Sequence, residues 1–134
     1  MMHKIEEFFQ KDKYAAVMGI KLLEVSDGRA KAMLEVTENH LNSAGTVHGG
    51  VIFTLADFAF EVASNSYGTL AVAINAQISF FKAVAAGVLY AEAKELALHP
   101  KLASYTIDVT NETGDLIASF QGMVYRKKDM LKIE

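Results

Sequence analysis

Two adjacent stretches decide how this chain folds: Asn42-Ser43-Ala44-Gly45-Thr46-Val47-His48-Gly49-Gly50 and, directly after it, Val51-Ile52-Phe53-Thr54-Leu55-Ala56-Asp57-Phe58-Ala59-Phe60-Glu61. The first is small, polar and glycine-bearing, and the second is an apolar run with a carboxylate inside it. Glycines at a helix start leave backbone amides open to a ligand, and the helix dipole favours negative charge there. An acid on an apolar helix is a candidate reaction centre. We therefore predict a loop and a long helix over about residues 50–65.

The composition predicts one domain over residues 1–134 and narrows the class of protein. The net charge of −3 argues against a nucleic-acid binder. The chain has no cysteine, which excludes disulfides, thiolate catalysis and a cysteine-based zinc site. The acidic N-terminal residues do not fit a signal peptide, and no apolar run approaches the roughly 18 residues of a membrane span. We expect a cytoplasmic protein without a membrane partner.

Periodicity predicts a short N-terminal helix and six strands. The helix covers residues 4–17, with Ile5, Phe8, Phe9 and Val17 on its apolar side, and Gly19 ends it. Apolar residues alternate with polar ones in most of the remaining segments, as in half-buried strands. The last residues, 129–134, are expected to fray. The predicted strands are 20–25, 29–37, 72–81, 88–98, 103–110 and 116–126.

The long helix sets the architecture because it is apolar nearly all round and needs cover on most sides. Four successive strands follow it with short turns between them, which favours an antiparallel meander. We therefore predict an α+β fold in which an antiparallel sheet curls around the helix. A partner subunit would cover the remaining side.

The few polar residues of the long helix form one stripe, since Thr54, Asp57, Glu61 and Asn65 follow at steps of three, four and four. One interpretation is a wet stripe at the edge of a buried helix, with Asp57 paired to a lysine such as Lys82. The other makes Asp57 a general base or nucleophile in a cleft, with Glu61 modulating its pKa. Spacing alone leaves both open.

Helix geometry constrains the second interpretation. Asp57 lies seven residues after Gly50, about 10 Å along a helix that rises 1.5 Å per residue. A carbonyl held by the Gly49 amide would be out of its reach, since catalytic contacts need roughly 3 Å. Either the substrate spans two turns or the acid comes from another chain, as in a two-fold dimer whose helices pass each other.

Three further positions are candidates for a site. His48 is a base, a ligand or a residue that hydrogen-bonds the loop in place, and the last role is favoured. Asn42 is a capping side chain or an amide that contacts substrate, and its spacing alone favours capping. The basic run Arg126-Lys127-Lys128 is a solvated strand end or a contact for phosphates. The histidines share no ligand spacing, so no metal is expected.

These residues resemble the hotdog-fold acyl-CoA thioesterases, specifically the phenylacetate-pathway branch. The match rests on Asn42-x-x-Gly45-x-x-His48-Gly49-Gly50 followed by Leu55-Ala56-Asp57. The resemblance implies an antiparallel sheet of about six strands wrapped around one long central helix. It also implies a homo-oligomer, a dimer at least and in our expectation a tetramer built as a dimer of dimers.

The resemblance also implies roles for residues. Gly49 would donate its backbone N–H to the thioester carbonyl, and Asn42 would contact that carbonyl or orient the attacking water. Asp57 of the facing subunit would be the general base or nucleophile. The substrate would be an acyl-CoA, and no separate cofactor is expected because coenzyme A is part of the substrate. The expected substrate contacts are Asn42, His48, Gly49, Gly50, Glu61, Arg126 and Lys127.

The chain departs from the family at one place, where many relatives carry a Ser or Thr that helps to hold the water. Here the sequence offers Ala73, with Asn75 and Gln77 as nearby polar alternatives. Two rival functions remain on the same fold. One is a non-catalytic acyl-CoA binder, and the other is a hydratase or dehydratase, whose acid–histidine pattern Glu38-Asn39-His40 does not reproduce.

Overall fold

The computed structural model describes residues 2–133. Two short helices precede a hairpin, a single 3₁₀ turn (Glu38–His40) follows, and one long helix leads into four strands. The elements are α1 (Met2–Gln10), α2 (Lys13–Met18), β1 (Ile20–Ser26), β2 (Arg29–Glu35), α3 (Gly49–Ser64), β3 (Thr69–Phe80), β4 (Val88–Leu98), β5 (Leu102–Thr110) and β6 (Leu116–Met130).

The six strands form one antiparallel sheet in the order β1-β2-β4-β5-β6-β3. The sheet curves around α3, which confirms the predicted α+β architecture. The predicted meander of four successive strands is wrong in one respect. Of these four strands, only β4, β5 and β6 are sequential neighbours, because β3 pairs with β6 at the far edge and β2 lies beside β4. The alternation of residues along β3 predicted a strand but did not indicate which strand it pairs with.

The core lies between α3 and the concave face of the sheet. Leu55, Ala56, Ala59 and Val62 of the helix are fully buried. The ring of Phe60 lies 5.9 Å from that of Tyr105 on β5 and 5.5 Å from that of Phe120 on β6, measured between centroids. Aromatic pairs at such separations add to the stabilisation that apolar burial supplies.

The N-terminal segment differs from the single helix predicted over residues 4–17. The chain breaks after Gln10, and the Asp12 carboxylate caps α2 by accepting from the Ala15 N–H at 3.0 Å. Ile5 and Phe9 are buried as expected. Val17 is 82% exposed, because the break rotates α2 relative to α1 and removes it from the apolar side. Gly19 ends α2 with a φ of 79°, as predicted.

The C-terminal residues are more ordered than the predicted fraying of residues 129–134. β6 continues through Met130, and the Leu131 N–H donates to the Gly68 carbonyl at 2.9 Å. Leu131 is buried, and Ile133 packs against the core. Glu134 lies outside the described residues.

The edge strand β3 is tied to α3 at its start and lies open beyond it. The Asn65 side chain accepts from the Ala71 N–H at 2.9 Å and donates to the Ala71 carbonyl at 3.2 Å. Residues 72–77 are exposed on both faces of the strand. β3 contains no charged residue, although charges are the usual protection of an edge strand against pairing with another chain.

No helix within residues 2–133 is long and apolar enough to cross a membrane. The cytoplasmic location stays a prediction.

Gly122→Ala is expected to lower the free energy of unfolding by about 1–3 kcal/mol, the usual cost of overpacking a filled core. A methyl at this position would lie 2.5 Å from Cζ of Phe60, whose ring is 1% exposed and held between Tyr105 and Phe120. Urea unfolding at fixed protein concentration measures the effect. Gln121→Ala, on the exposed face of the same strand, is the control and should change stability by less than about 0.5 kcal/mol.

Candidate active site

The loop before α3 is organised around the side chain of Asn42. Its Oδ1 accepts from the backbone N–H groups of Ala44 at 2.9 Å and Thr46 at 3.1 Å, and its Nδ2 donates to Thr46 Oγ1 at 3.0 Å. Gly45 supplies the left-handed residue of the turn, with a φ of 80°. The structure therefore shows Asn42 in the capping role. Its contact with substrate stays a prediction.

His48 is the N-cap of α3 and accepts at Nδ1 from the Gly50 N–H at 2.9 Å. Its own N–H donates to the carbonyl of His40 at 2.8 Å. The buried His40 accepts from the Thr37 N–H at Nδ1 (2.9 Å), so its Nε2 carries the proton and donates to the Met18 carbonyl at 2.8 Å. The interpretation of His48 as a loop-holding residue is confirmed, and its role in substrate binding stays a prediction.

Gly49 carries the open amide of this helix start. Among the hydrogen bonds of residues 2–133 none uses its N–H, whereas the Gly50 N–H is taken by His48. The expectation of two open amides is therefore correct for Gly49 only. A Cβ on Gly49 would lie 3.3 Å from the ring of Phe80, and one on Gly50 would lie 3.1 Å from His48 Nδ1. Both glycines relieve crowding at this end of α3.

Asp57 lies in a cavity of about 330 Å³ between α1, α3 and the start of β3. The alternative in which Asp57 pairs with Lys82 is wrong, because the Lys82 ammonium lies 2.7 Å from the carboxylate of Asp115. Glu61 lines the cavity one turn further along α3. Six apolar side chains make up much of the rest: Phe8, Phe9, Phe60, Leu70, Val72 and Leu131.

The cavity holds its two carboxyl groups partly out of water, and this raises the pKa of both. Burial raises the pKa of Asp57, and the negative charge of Asp12 raises it further. The pKa of Glu61 rises from 4.5 to about 7, first because surrounding protein excludes water from its carboxyl and then because of the charges of Asp12 and Asp57. The outer part of the Glu61 side chain remains exposed. Asp57 is thus a stronger base than an exposed aspartate.

The loop before α3 and the Asp57 carboxylate lie far apart within one chain. α3 is unbroken from Gly49 to Ser64, so Asp57 lies eight residues and about 12 Å along the axis from Gly49. Gly49 and Asn42 are not among the residues that line the Asp57 cavity. The prediction that one chain cannot bring the Gly49 amide and the Asp57 carboxylate to the same atom agrees with this geometry.

Ala73, where the family pattern predicts a hydroxyl, does line the Asp57 cavity. The pairing of β3 with β6 is irregular between Ala73 and Asn75, and both Asn75 and Gln77 are exposed. The cavity wall next to the acid is therefore a methyl group.

The basic residues Arg126 and Lys127 lie at the other end of α3 from the loop. Arg126 pairs in the sheet with Ala71, which the Asn65 side chain fixes to the helix C-terminus. Its Nη1 donates to the His99 carbonyl at 2.9 Å, and its guanidinium lies 5.7 Å from the ring centre of Tyr67. Lys127 is exposed. Their contacts with substrate phosphates stay predictions.

Sequence reasoning missed three residues around Asp57. Phe8 and Phe9 were interpreted only as the apolar side of a surface helix, and Asp12 as a residue within it. The structure lays α1 across α3, so that both rings line the cavity and Asp12 acts on both carboxyl groups. The paired phenylalanines were a signal of burial, but nothing in the pattern specified the surface they cover.

The family model of the Thioesterase superfamily matches residues 44–118. This range begins within the loop, two residues after Asn42, and covers α3, β3, β4, β5 and the first residues of β6. The chain belongs to the Thioesterase superfamily.

Individual relatives identify the branch. The chain is 44% identical over 128 residues to a putative esterase of Archaeoglobus fulgidus, with 94% of this chain and 83% of the relative covered. It is 34% identical to the acyl-coenzyme A thioesterase PaaI of Escherichia coli, with 88% and 85% covered. The structure of E. coli PaaI, from the phenylacetic acid degradation operon, superposes with a TM-score of 0.91 over 96% of this chain and 97% of that one, at 30% identity. The predicted PaaI-like hotdog thioesterase is thereby confirmed.

Asp12→Asn is expected to lower the pKa of Glu61 from about 7 and that of Asp57 with it, because one nearby negative charge is removed. Asparagine keeps the N-cap of α2, so the helix should persist. Carboxyl carbon NMR titration measures both pKa values. Asp108→Asn, the same change on the exposed side of β5, is the control; equal effects of the two variants would contradict a specific action of Asp12.

Proposed function

We propose that this chain hydrolyses acyl-CoA thioesters at sites completed by two subunits, with Gly49 from one chain and Asp57 from the other. The observation that carries the proposal is the open Gly49 amide at the positive end of α3. It lies on the same rigid helix as Asp57, whose carboxylate forms no ion pair within residues 2–133 and is too far away to act with it. Sequence similarity to acyl-CoA thioesterases supports the reaction class.

The proposed chemistry follows from these two groups. Asp57 takes a proton from water as the water oxygen attacks the thioester carbonyl, and the Gly49 N–H holds the oxyanion that forms. The C–S bond then breaks, and free acid and coenzyme A leave. One such donor is typically worth about 10²–10³ in rate, and a general base about 10²–10⁴. Asp57 acting as a nucleophile through a mixed anhydride is the variant of this mechanism.

The exposed edge strand supports the proposed dimer. β3 offers twelve residues without a charge, with residues 72–77 exposed on both faces in the single chain. Ile74 is 55% and Phe80 52% exposed, and both would be covered if β3 paired with its copy. Phe80 also contacts the Gly49 end of α3. Pairing at this edge would therefore bring a second chain close to the open amide.

The cavity beside Asp57 supports an acyl group of moderate size, aryl-acyl groups included. Three of its walls are the rings of Phe8, Phe9 and Phe60, and aromatic rings pack well against other rings and against alkyl chains.

Asp57→Asn is expected to lower kcat for thiol release by about 10²–10⁴ while leaving the fold intact, because the side chain keeps its shape and loses its basicity. The assay follows free thiol over a panel of short, long and aromatic acyl-CoAs, with circular dichroism as the check on folding. Asp108→Asn is again the matched control. Turnover near the wild-type rate in Asp57→Asn would exclude Asp57 as the base, and acyl-CoA binding without thiol release in the wild type would favour a binder.

Mixing subunits tests the shared site. Gly49→Ala and Asp57→Ala are each expected to be inactive, since a methyl group at position 49 blocks the approach of the thioester to the amide and Asp57→Ala removes the carboxylate, so that each variant disables one half of both sites. A 1:1 mixture that exchanges subunits should recover roughly a quarter of wild-type activity, because half of the dimers are mixed and each mixed dimer has one intact site. Mixed dimers without activity would place both halves in one chain.

A further inference from the structure

Glu61 lies where the far end of an acyl group would lie if the proposed thioesterase function holds, and the present inference rests on that function. Asp57 and Glu61 are one turn apart on the same face of α3, and both line the same cavity. Glu61 lies about 6 Å further along the helix than Asp57, on the side away from the reacting carbonyl. The part of the substrate that extends past Asp57 into the cavity therefore meets Glu61.

The cavity has the size and lining of an acyl site. Its volume of about 330 Å³ is at the lower end of the roughly 300–1,000 Å³ of small-molecule sites. It has room for an acyl group and not for a coenzyme A moiety as well. The walls from α1, β3 and the C-terminal segment are apolar, so a charged group placed there finds carboxylates and few other polar partners.

The two charges that raise the pKa of Glu61 are both negative. Asp57 lies on its own helix, and Asp12 approaches from the connection between α1 and α2. Lys11 and Lys132 line a neighbouring cavity with Glu61, on the other side of Phe8 and Phe9. Within residues 2–133, none of the ion pairs closer than 4.0 Å involves Glu61. The acyl cavity thus has a net negative wall.

We propose that Glu61 determines specificity by excluding acyl groups that end in a negative charge. A carboxylate at the end of the acyl group would lose its water in the cavity and face Asp57 and Glu61 at short range, and both effects are unfavourable. A neutral alkyl or aryl end replaces water at apolar walls and meets no such repulsion. The substrate class is therefore neutral acyl-CoAs, and CoA monothioesters of dicarboxylic acids are rejected.

The test compares matched substrates that differ only at the far end: hexanoyl-CoA with adipoyl-CoA, and octanoyl-CoA with suberoyl-CoA. The measured quantity is the ratio of kcat/KM, neutral over anionic, in which any general loss of activity in a variant cancels. At pH 8 we expect this ratio to exceed about ten in the wild type and to fall by about tenfold in Glu61→Gln. Glu24→Gln, the same change on the exposed edge strand β1, is the control and should leave the ratio unchanged.

The pH dependence adds a second readout. With a pKa of about 7, Glu61 is mostly neutral at pH 6 and mostly charged at pH 8, so the wild-type ratio should rise about fivefold between them. In Glu61→Gln the ratio should not change with pH. A pH dependence that persisted in this variant would come from Asp57 or Asp12 instead of Glu61. A wild-type ratio near one, or a ratio that Glu61→Gln leaves unchanged, overturns the proposal. Failure to release thiol from any acyl-CoA would instead overturn the proposed function.

Discussion

The structure depends on the need to cover an apolar helix. Almost every side of α3 is hydrophobic, and nine of its sixteen residues belong to the buried apolar core. A sheet that curves around the helix covers most of this surface. The hairpin of β1 and β2 lies next to β4 at one edge and extends the sheet around the helix. The remaining side carries Asp57 and Glu61, beneath α1 and the start of β3.

The same helix keeps the two chemical groups apart. A hydrogen-bonded helix is stiff, so Gly49 and Asp57 stay about 12 Å apart along the helix axis whatever the surrounding loops do. Capping by His48 consumes the amide of Gly50 and leaves that of Gly49. Burial in an apolar cavity keeps Asp57 away from cations and raises its pKa. The geometry thus separates an open amide at one end of α3 from a carboxylate in its middle, which is the separation that the proposed two-subunit site requires.

Sequence patterns predicted correctly those features of the fold that depend on residues close together in the chain. Strand alternation, the glycine-bearing loop and a helix over about residues 50–65 are of this kind, and all agree with the structure, in which α3 covers Gly49–Ser64. The partner of β3, the break at Asp12 and the position of α1 over Asp57 depend on contacts between distant segments, which periodicity does not specify. The apolar character of α3 predicted a sheet curved around it, and the family resemblance implied the same architecture. It did not supply Phe8, Phe9 and Asp12, which no motif contains.

The hydrogen bonds of His40 have a consequence for the design of shortened or tagged chains. Its buried imidazole joins Met18 and Thr37, and its backbone carbonyl accepts from the His48 N–H in the loop before α3. A truncation that removes the first 18 residues would leave its Nε2–H without an acceptor, at a cost of about 1–3 kcal/mol. The choice of the first residue of an expression fragment therefore also affects the stability of the loop around Gly49, about thirty residues further along the chain.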